Sequence, residues 1–147
     1  MIQSEFSIGD FFARFARQSN ADDIAALVSQ FADPFLSASP QGTQSVRATE
    51  LAATLKKKKE LFNRLGSMPS ELIDLHETPL DSRYVLARAT WRMSFVRDGG
   101  TIQEVLVDST YLVDTAGNDC KIVLYLTHQD LMQILRDRGI IGAQMTN

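Results

Sequence analysis

A chain of 147 residues has room for one domain with a substantial buried core, expected here over residues 1–147, so it needs no disulfide or metal staple. Its formal charge of −3 gives no overall attraction for nucleic acid or anionic lipid, so neither is expected as a partner. The single cysteine, Cys120, excludes an intramolecular disulfide. No apolar run reaches the length of a spanning helix, and MIQSEFSIGDFF lacks the basic and apolar regions of a secretion signal, so a cytoplasmic location is expected.

In chain order, Ser7 followed by Asp10 marks a helix start, and a first helix is predicted over about 8–18. Its apolar face is Phe11, Phe12, Phe15 and Ala16. Asn20 is expected to cap a second helix headed by Ala21, Asp22 and Asp23, with Ile24, Leu27, Val28 and Phe31 as its stripe and Pro34 ending it near Asp33. PFLSASPQG, residues 34–42, reads as extended or turn-like, and its prolines argue against a central strand. A third helix is predicted over roughly 46–65, with Gly66 as its stop.

SELIDLHET alternates as a strand, and TPLDSR turns it into a meander of YVLARATWRMSFV, TIQEVLVDSTYLV and CKIVLYL joined by RDGG and DTAGND. A final helix is expected with Thr127 as cap, Asp130 at its third position, a stripe of Leu131, Ile134 and Leu135, and Gly139 as stop. The order of three helices, four strands and one helix is a segregated α+β pattern. In the first long strand Val85, Ala87, Ala89, Trp91, Met93 and Phe95 share the face expected to take the helices. Arg88 and Arg92 lie on the other face, either solvated or paired with Glu104 or Asp108 across a subunit contact. Leu86, Leu106 and Leu112 beside them point to a homodimer through that face.

The four lysines 56–59 spread around a helix and read as a solvated surface. His76 lies in a strand, facing a cavity or solvent, and His128 stands at the surface near a helix cap. Neither belongs to a metal-binding spacing, so no metal or cofactor is expected. There is no GxSxG, phosphate loop or GxGxxG, and Cys120 reads as a small packing residue.

FADPFLSASPQG, followed by a long helix and a meander closing in YLVDTAGNDCKIVLYL, resembles the nuclear transport factor 2-like superfamily over about residues 8–127. The resemblance implies a cone: a curved, mainly antiparallel sheet wrapped around the N-terminal helices, here with an extra C-terminal helix. It also implies an apolar pocket at the open end. Ketosteroid isomerases, scytalone dehydratases, epoxide hydrolases, polyketide cyclases and noncatalytic subunits share this layout. Carried over residue by residue, the isomerase oxyanion tyrosine falls on Phe15, the general base on Ser39 and the second oxyanion acid on Ser109. Asp108 stands one residue away, which reverses its face. The epoxide hydrolase spacing of an arginine and an acid meets Arg88 with Thr90, or Arg92 with Ser94, and a histidine pair of the dehydratase kind is missing.

No catalytic set is therefore expected. The expected pocket residues are Phe12, Phe15, Phe31, Phe35, Trp91, Tyr111 and Tyr125, with Ser39, Ser109 and His76 as polar points, a lining suited to an apolar small molecule. A noncatalytic binding protein is the leading expectation. The alternatives are an isomerase, cyclase or dehydratase using Asp108, His76 or Tyr111, or an accessory subunit of a larger assembly.

Overall fold

The start signal at Ser7 is used as expected. In the structure, a computed structural model describing residues 7–21, 23–117 and 119–142, the Ser7 hydroxyl accepts the Asp10 N–H at 3.2 Å. This opens α1 (Ile8–Asn20), whose buried side chains Ile8, Phe11, Phe12 and Phe15 recur at helical spacing and form its core face. The second helix is shorter than its apolar stripe predicts: α2 (Ile24–Val28) is capped by Asp23, whose carboxylate accepts the Ala26 N–H at 3.1 Å. Asn20 is instead the last residue of α1. Phe31 belongs to the next strand, because the aromatic side chain gains burial against Phe15 and Phe35 there. Asp22 and Asn118, expected at a helix head and in a turn, lie outside the described residues.

The segment expected to stay out of the sheet interior is the principal correction. β1 (Phe31–Ser39) pairs antiparallel with β2 (Gly42–Val46) and parallel with β6 (Lys121–Thr127), so it has neighbours on both sides. Pro34 is tolerated because the β1–β6 register shifts between Phe31 and Leu36 and the β1–β2 ladder begins only at Phe35. The missing N–H therefore falls where no ladder bond is required.

α3 (Ala48–Arg64) follows, and its first turn is held by a residue distant in sequence. The Asp33 carboxylate on β1 accepts both the Ala48 N–H and the Arg47 Nε–H at 2.9 Å. At the far end Gly66 has φ of 78°, and a Cβ placed there would lie 2.8 Å from the Val96 carbonyl oxygen. Only glycine meets both constraints.

β3 (Glu71–Pro79), β4 (Tyr84–Val96) and β5 (Ile102–Asp114) complete a six-stranded sheet in the order β2-β1-β6-β5-β4-β3, antiparallel except at β1–β6. The architecture is an α+β cone with an open curved sheet, as the resemblance implies. Two strands nevertheless precede α3, so helices and strands are less segregated than expected. The last helix, α4 (Leu131–Asp137), begins one turn later than predicted: Thr127 ends β6, and Asp130 is itself the cap, accepting the Gln133 N–H at 3.1 Å.

The face assignment of β4 holds: Ala87, Ala89, Trp91, Met93 and Phe95 are buried. On the outer face Arg92 pairs with Glu71 at 2.8 Å and Arg88 with Asp108 at 3.4 Å, both within this chain. The interior packs as two clusters. One joins α1, α2 and the base of α3 to Ala87, Ala89, Trp91, Tyr111, Val113 and Ile122. The other joins Phe62 and Leu65 to Met93, Phe95, Val105, Leu135, Ile140 and Ile141. The two cover different stretches of β4 and β5, and the space between them is left for something else.

Candidate functional site

A cavity of about 530 Å³ occupies that space. Its walls come from both clusters: Phe15, Leu27, Leu55, Trp91 and Tyr111 on one side, Phe62, Met93, Leu131 and Met132 on the other, with Val107 touching both. Strand alternation accounts for the sheet side, since Trp91 and Met93 on β4 and Val107, Ser109 and Tyr111 on β5 are separated by two residues each. A second chamber of about 360 Å³ adjoins it, lined by Phe31, Phe35, Ser37 and Leu51. The chambers share Phe15, Ser19, Leu27, Leu55, Lys58 and Tyr125.

The aromatic wall is a connected unit. Tyr111 and Tyr125 stack with centroids 5.2 Å apart and planes 13° from parallel, and Phe15 lies 5.6 Å from Tyr111 and 5.8 Å from Trp91. The Trp91 indole N–H donates to the Tyr111 hydroxyl at 3.2 Å, so neither buried polar atom is left unpaired. Burial pushes the Tyr111 phenol well above its ordinary pKa, and neighbouring Tyr125 adds to this, against a partial offset from hydrogen bonds with Trp91 and Ser109. Tyr111 is therefore a neutral hydrogen-bonding group over the whole physiological range.

Polar clasps tie the rim. Asn20 donates to the Ser70 carbonyl at 3.0 Å and accepts the Ser70 N–H at 2.9 Å, joining the end of α1 to the segment before β3. Gln41 in the β1–β2 turn donates to Asp130 at 2.6 Å, joining that turn to the start of α4.

Seven of the ten residues expected to form a site border one chamber or both: Phe15, Trp91, Ser109, Tyr111 and Tyr125 the larger, and Phe31 and Phe35 the smaller. Three do not. Phe12 has no exposed surface and packs into the core, 4.7 Å from Tyr111 and 5.1 Å from Phe11. Ser39, at the last position of β1, turns its hydroxyl to the Gln41 N–H at 3.1 Å, and Ser37 is the serine that reaches the smaller chamber. His76 faces outward beside Arg88 in the β3–β4 register and contacts Asp74 at 3.0 Å.

Asp108 is also on the outer face, where the Thr90 hydroxyl donates to it at 2.7 Å; this bond first, with Gln129 and Arg88, holds its carboxyl below the usual range. Asp108, His76 and Tyr111 therefore do not converge. Of the isomerase positions carried over, Phe15 and Ser109 reach the cavity and Ser39 does not. Among the described residues no three His, Cys, Asp or Glu side chains gather as a metal site.

Sequence reasoning missed Met93 and Val107, although their parity with Trp91 and Ser109 predicts them. It also missed Lys58 and Lys59, whose i+3 and i+4 spacing from Leu55 places them on the same helix face. Leu131 and Met132 carried no such signal, because only the tertiary fold brings α4 to the rim.

No curated protein matches this chain. Among solved structures, the β subunit of benzoate 1,2-dioxygenase from Burkholderia mallei is similar, with a TM-score of 0.67 and 14% identity over 97% of this chain and 99% of that one. Aln2 from a Streptomyces species has a TM-score of 0.69 at 10% identity, covering 88% of this chain and 92% of that one. A ketosteroid isomerase-like protein from Erwinia carotovora atroseptica has a TM-score of 0.64 at 13% identity, covering 82% and 92%. At these identities the likeness concerns the fold. The family described as NTF2-like protein (DUF6841) matches residues 4–130, and with that span, the cone and the cavity between its two core clusters, the chain belongs to this family.

Proposed function

We propose that this protein binds a small, largely apolar molecule in the cavity between its core clusters and performs no acid–base chemistry on it. The observation that carries this reading is the lining itself: an aromatic wall with a buried serine and a neutral tyrosine, and no carboxylate–histidine pair facing it among the described residues. A volume of about 530 Å³ falls in the range of small-molecule sites, and its sheet-side wall is largely apolar, with Ser109 and Tyr111 as hydrogen-bonding groups that can orient a ligand. Proton transfer at carbon needs a base within hydrogen-bond reach, and the one carboxylate in the larger lining, Asp130, is engaged in capping α4 and in accepting from Gln41. The test is a thermal-shift panel of neutral aromatic and alicyclic compounds, read together with emission from Trp91, the only tryptophan. Binding raises the melting temperature and perturbs Trp91; Val107→Phe, which narrows the cavity, weakens both effects. A panel that moves neither signal at saturating concentration refutes the reading.

A second reading concerns assembly. Leu86, Leu112, Leu124 and Leu36 stand opposite one another across β4, β5, β6 and β1 on the outer face, and Leu36 is 47% exposed. We infer a homodimer through this row, since a sheet face with a continuous apolar band suits a two-fold contact. Sedimentation equilibrium tests it: the wild type sediments as a dimer and Leu112→Asp as a monomer. A wild type that stays monomeric at high protein concentration overturns it.

A further inference from the structure

The four consecutive lysines of α3 separate into two pairs. Lys56 and Lys57 are exposed and line neither chamber. Lys58 and Lys59 fall at i+3 and i+4 from Leu55, on the helix face that carries Leu55 and Phe62 into the cavity wall. Lys59 is half-buried and donates to the Ser19 and Ala21 carbonyls at 3.1 and 2.8 Å, where α1 ends and its last carbonyls need donors.

Lys58 is placed differently. It is exposed, so it stands at the solvent edge, and it borders both chambers. Its ammonium lies 5.5 Å from the Phe62 ring centroid, a cation–π contact that holds the side chain over the apolar wall. The other charged groups of the linings are committed elsewhere: Asp130 caps α4, Glu50 accepts the Arg47 N–H at 2.8 Å, and Lys59 closes α1. Among the described residues Lys58 has no carboxylate or carbonyl partner, and the adjoining Lys56 and Lys57 give the middle of α3 a local positive charge that the chain as a whole, at −3, does not have.

We propose that the ligand of this cavity is an amphiphilic carboxylate, with its apolar body against Trp91, Met93 and Val107 and its carboxylate on the Lys58 ammonium at the rim. The inference rests on the binding reading above and adds the head group. A charge-assisted hydrogen bond at the solvent edge distinguishes an acid from an alcohol of the same length, which the apolar wall alone cannot do.

The test titrates the full chain with octanoate, octanol and octylamine at neutral pH, following Trp91 emission and, independently, uptake by equilibrium dialysis. Octanoate binds tightest, by roughly threefold to tenfold over octanol, and octylamine weakest. Lys58→Met abolishes the preference for the acid while keeping octanol binding, and Lys57→Met, whose side chain lines neither chamber, retains the wild-type order. Octanol binding as tightly as octanoate in the wild type, or a preference that survives Lys58→Met, overturns the carboxylate assignment and leaves the cavity reading in place. If none of the three probes is taken up, the cavity reading falls and this inference falls with it.

Discussion

Replacing Tyr111 by phenylalanine removes one oxygen from the aromatic wall. That oxygen accepts the Trp91 indole N–H at 3.2 Å, and the two residues are 1% and 7% exposed. The ring and its contacts with Phe12, Phe15 and Tyr125 remain, so no large void opens. The cost is a lost hydrogen bond together with a stranded indole donor, which for buried neutral groups amounts to about 1–3 kcal/mol. Trp91 borders the cavity, where water can reach the freed N–H, so the lower half of that range applies. A loss of about 1–2 kcal/mol corresponds to a fall of roughly 3–8 °C in the melting temperature for a domain of this size.

The assay is thermal unfolding followed by circular dichroism in all four proteins of a double-mutant cycle through Trp91→Phe, which isolates the pairwise contribution, with Trp91 emission added for the two proteins that keep the indole. Alkaline titration supplies an independent check. Burial raises the Tyr111 pKa above that of the unfolded chain, so its contribution is fully present below about pH 10 and is lost as pH rises and the unfolded state ionises first. Tyr111→Phe removes that part of the alkaline loss. A variant as stable as the wild type, with unchanged Trp91 signals and no coupling in the cycle, would refute the view that this hydrogen bond organises the wall.

Gly66→Ala must adopt a positive φ and meets the Val96 carbonyl at 2.8 Å, so a loss of about 2 kcal/mol or more is expected by chemical denaturation at unchanged m-value. Phe12→Ala, at a site without exposed surface between Phe11, Phe15 and Tyr111, is expected to cost about 3–5 kcal/mol, read as a lowered denaturation midpoint. Acid should destabilise the fold in a defined direction. Asp114 is held below the usual carboxylate range first by its paired bonds from Arg83 at 2.8 Å, Asp33 first by the Ala48 N–H, and Asp81 first by the Tyr84 N–H. Depressed folded pKa values mean stability that is complete above about pH 5 and declines as pH falls through about 4 and below. Melting temperatures across that range check it, and Asp114→Asn should flatten part of the decline.

Most of the α+β layout was legible because it is written in local periodicity. The stripe of α1, the alternation of β4 from Val85 to Phe95 and the glycine stop of α3 each depend on residues a few positions apart. The errors arose where a distant partner overrides local preference. Phe31 continues the helical stripe of Ile24, Leu27 and Val28, yet burial against Phe15 and pairing of β1 with β6 draw it into a strand. Pro34 argues against an interior strand, and the irregularity that admits it, five residues of β1 from Phe31 to Leu36 against two of β6 from Ile122 to Leu124, exists only once β1 is paired with β6.

The cavity divides in the same way. Alternation alone identifies which residues of β4 and β5 face inward, and the aromatic, acid-poor character of Trp91, Ser109 and Tyr111 follows from residue identity. Whether inward-facing aromatics fill the cone or border a space depends on how the helices pack. Phe12, one residue from Phe11 and three from Phe15, is sealed in the core, while Lys58 of a run that reads as solvent-facing stands on the rim. A sequence determines the period and chemistry of each face. The separation of two packed clusters, and the volume it leaves between them, is decided only when α3 and α4 are docked on the curved sheet.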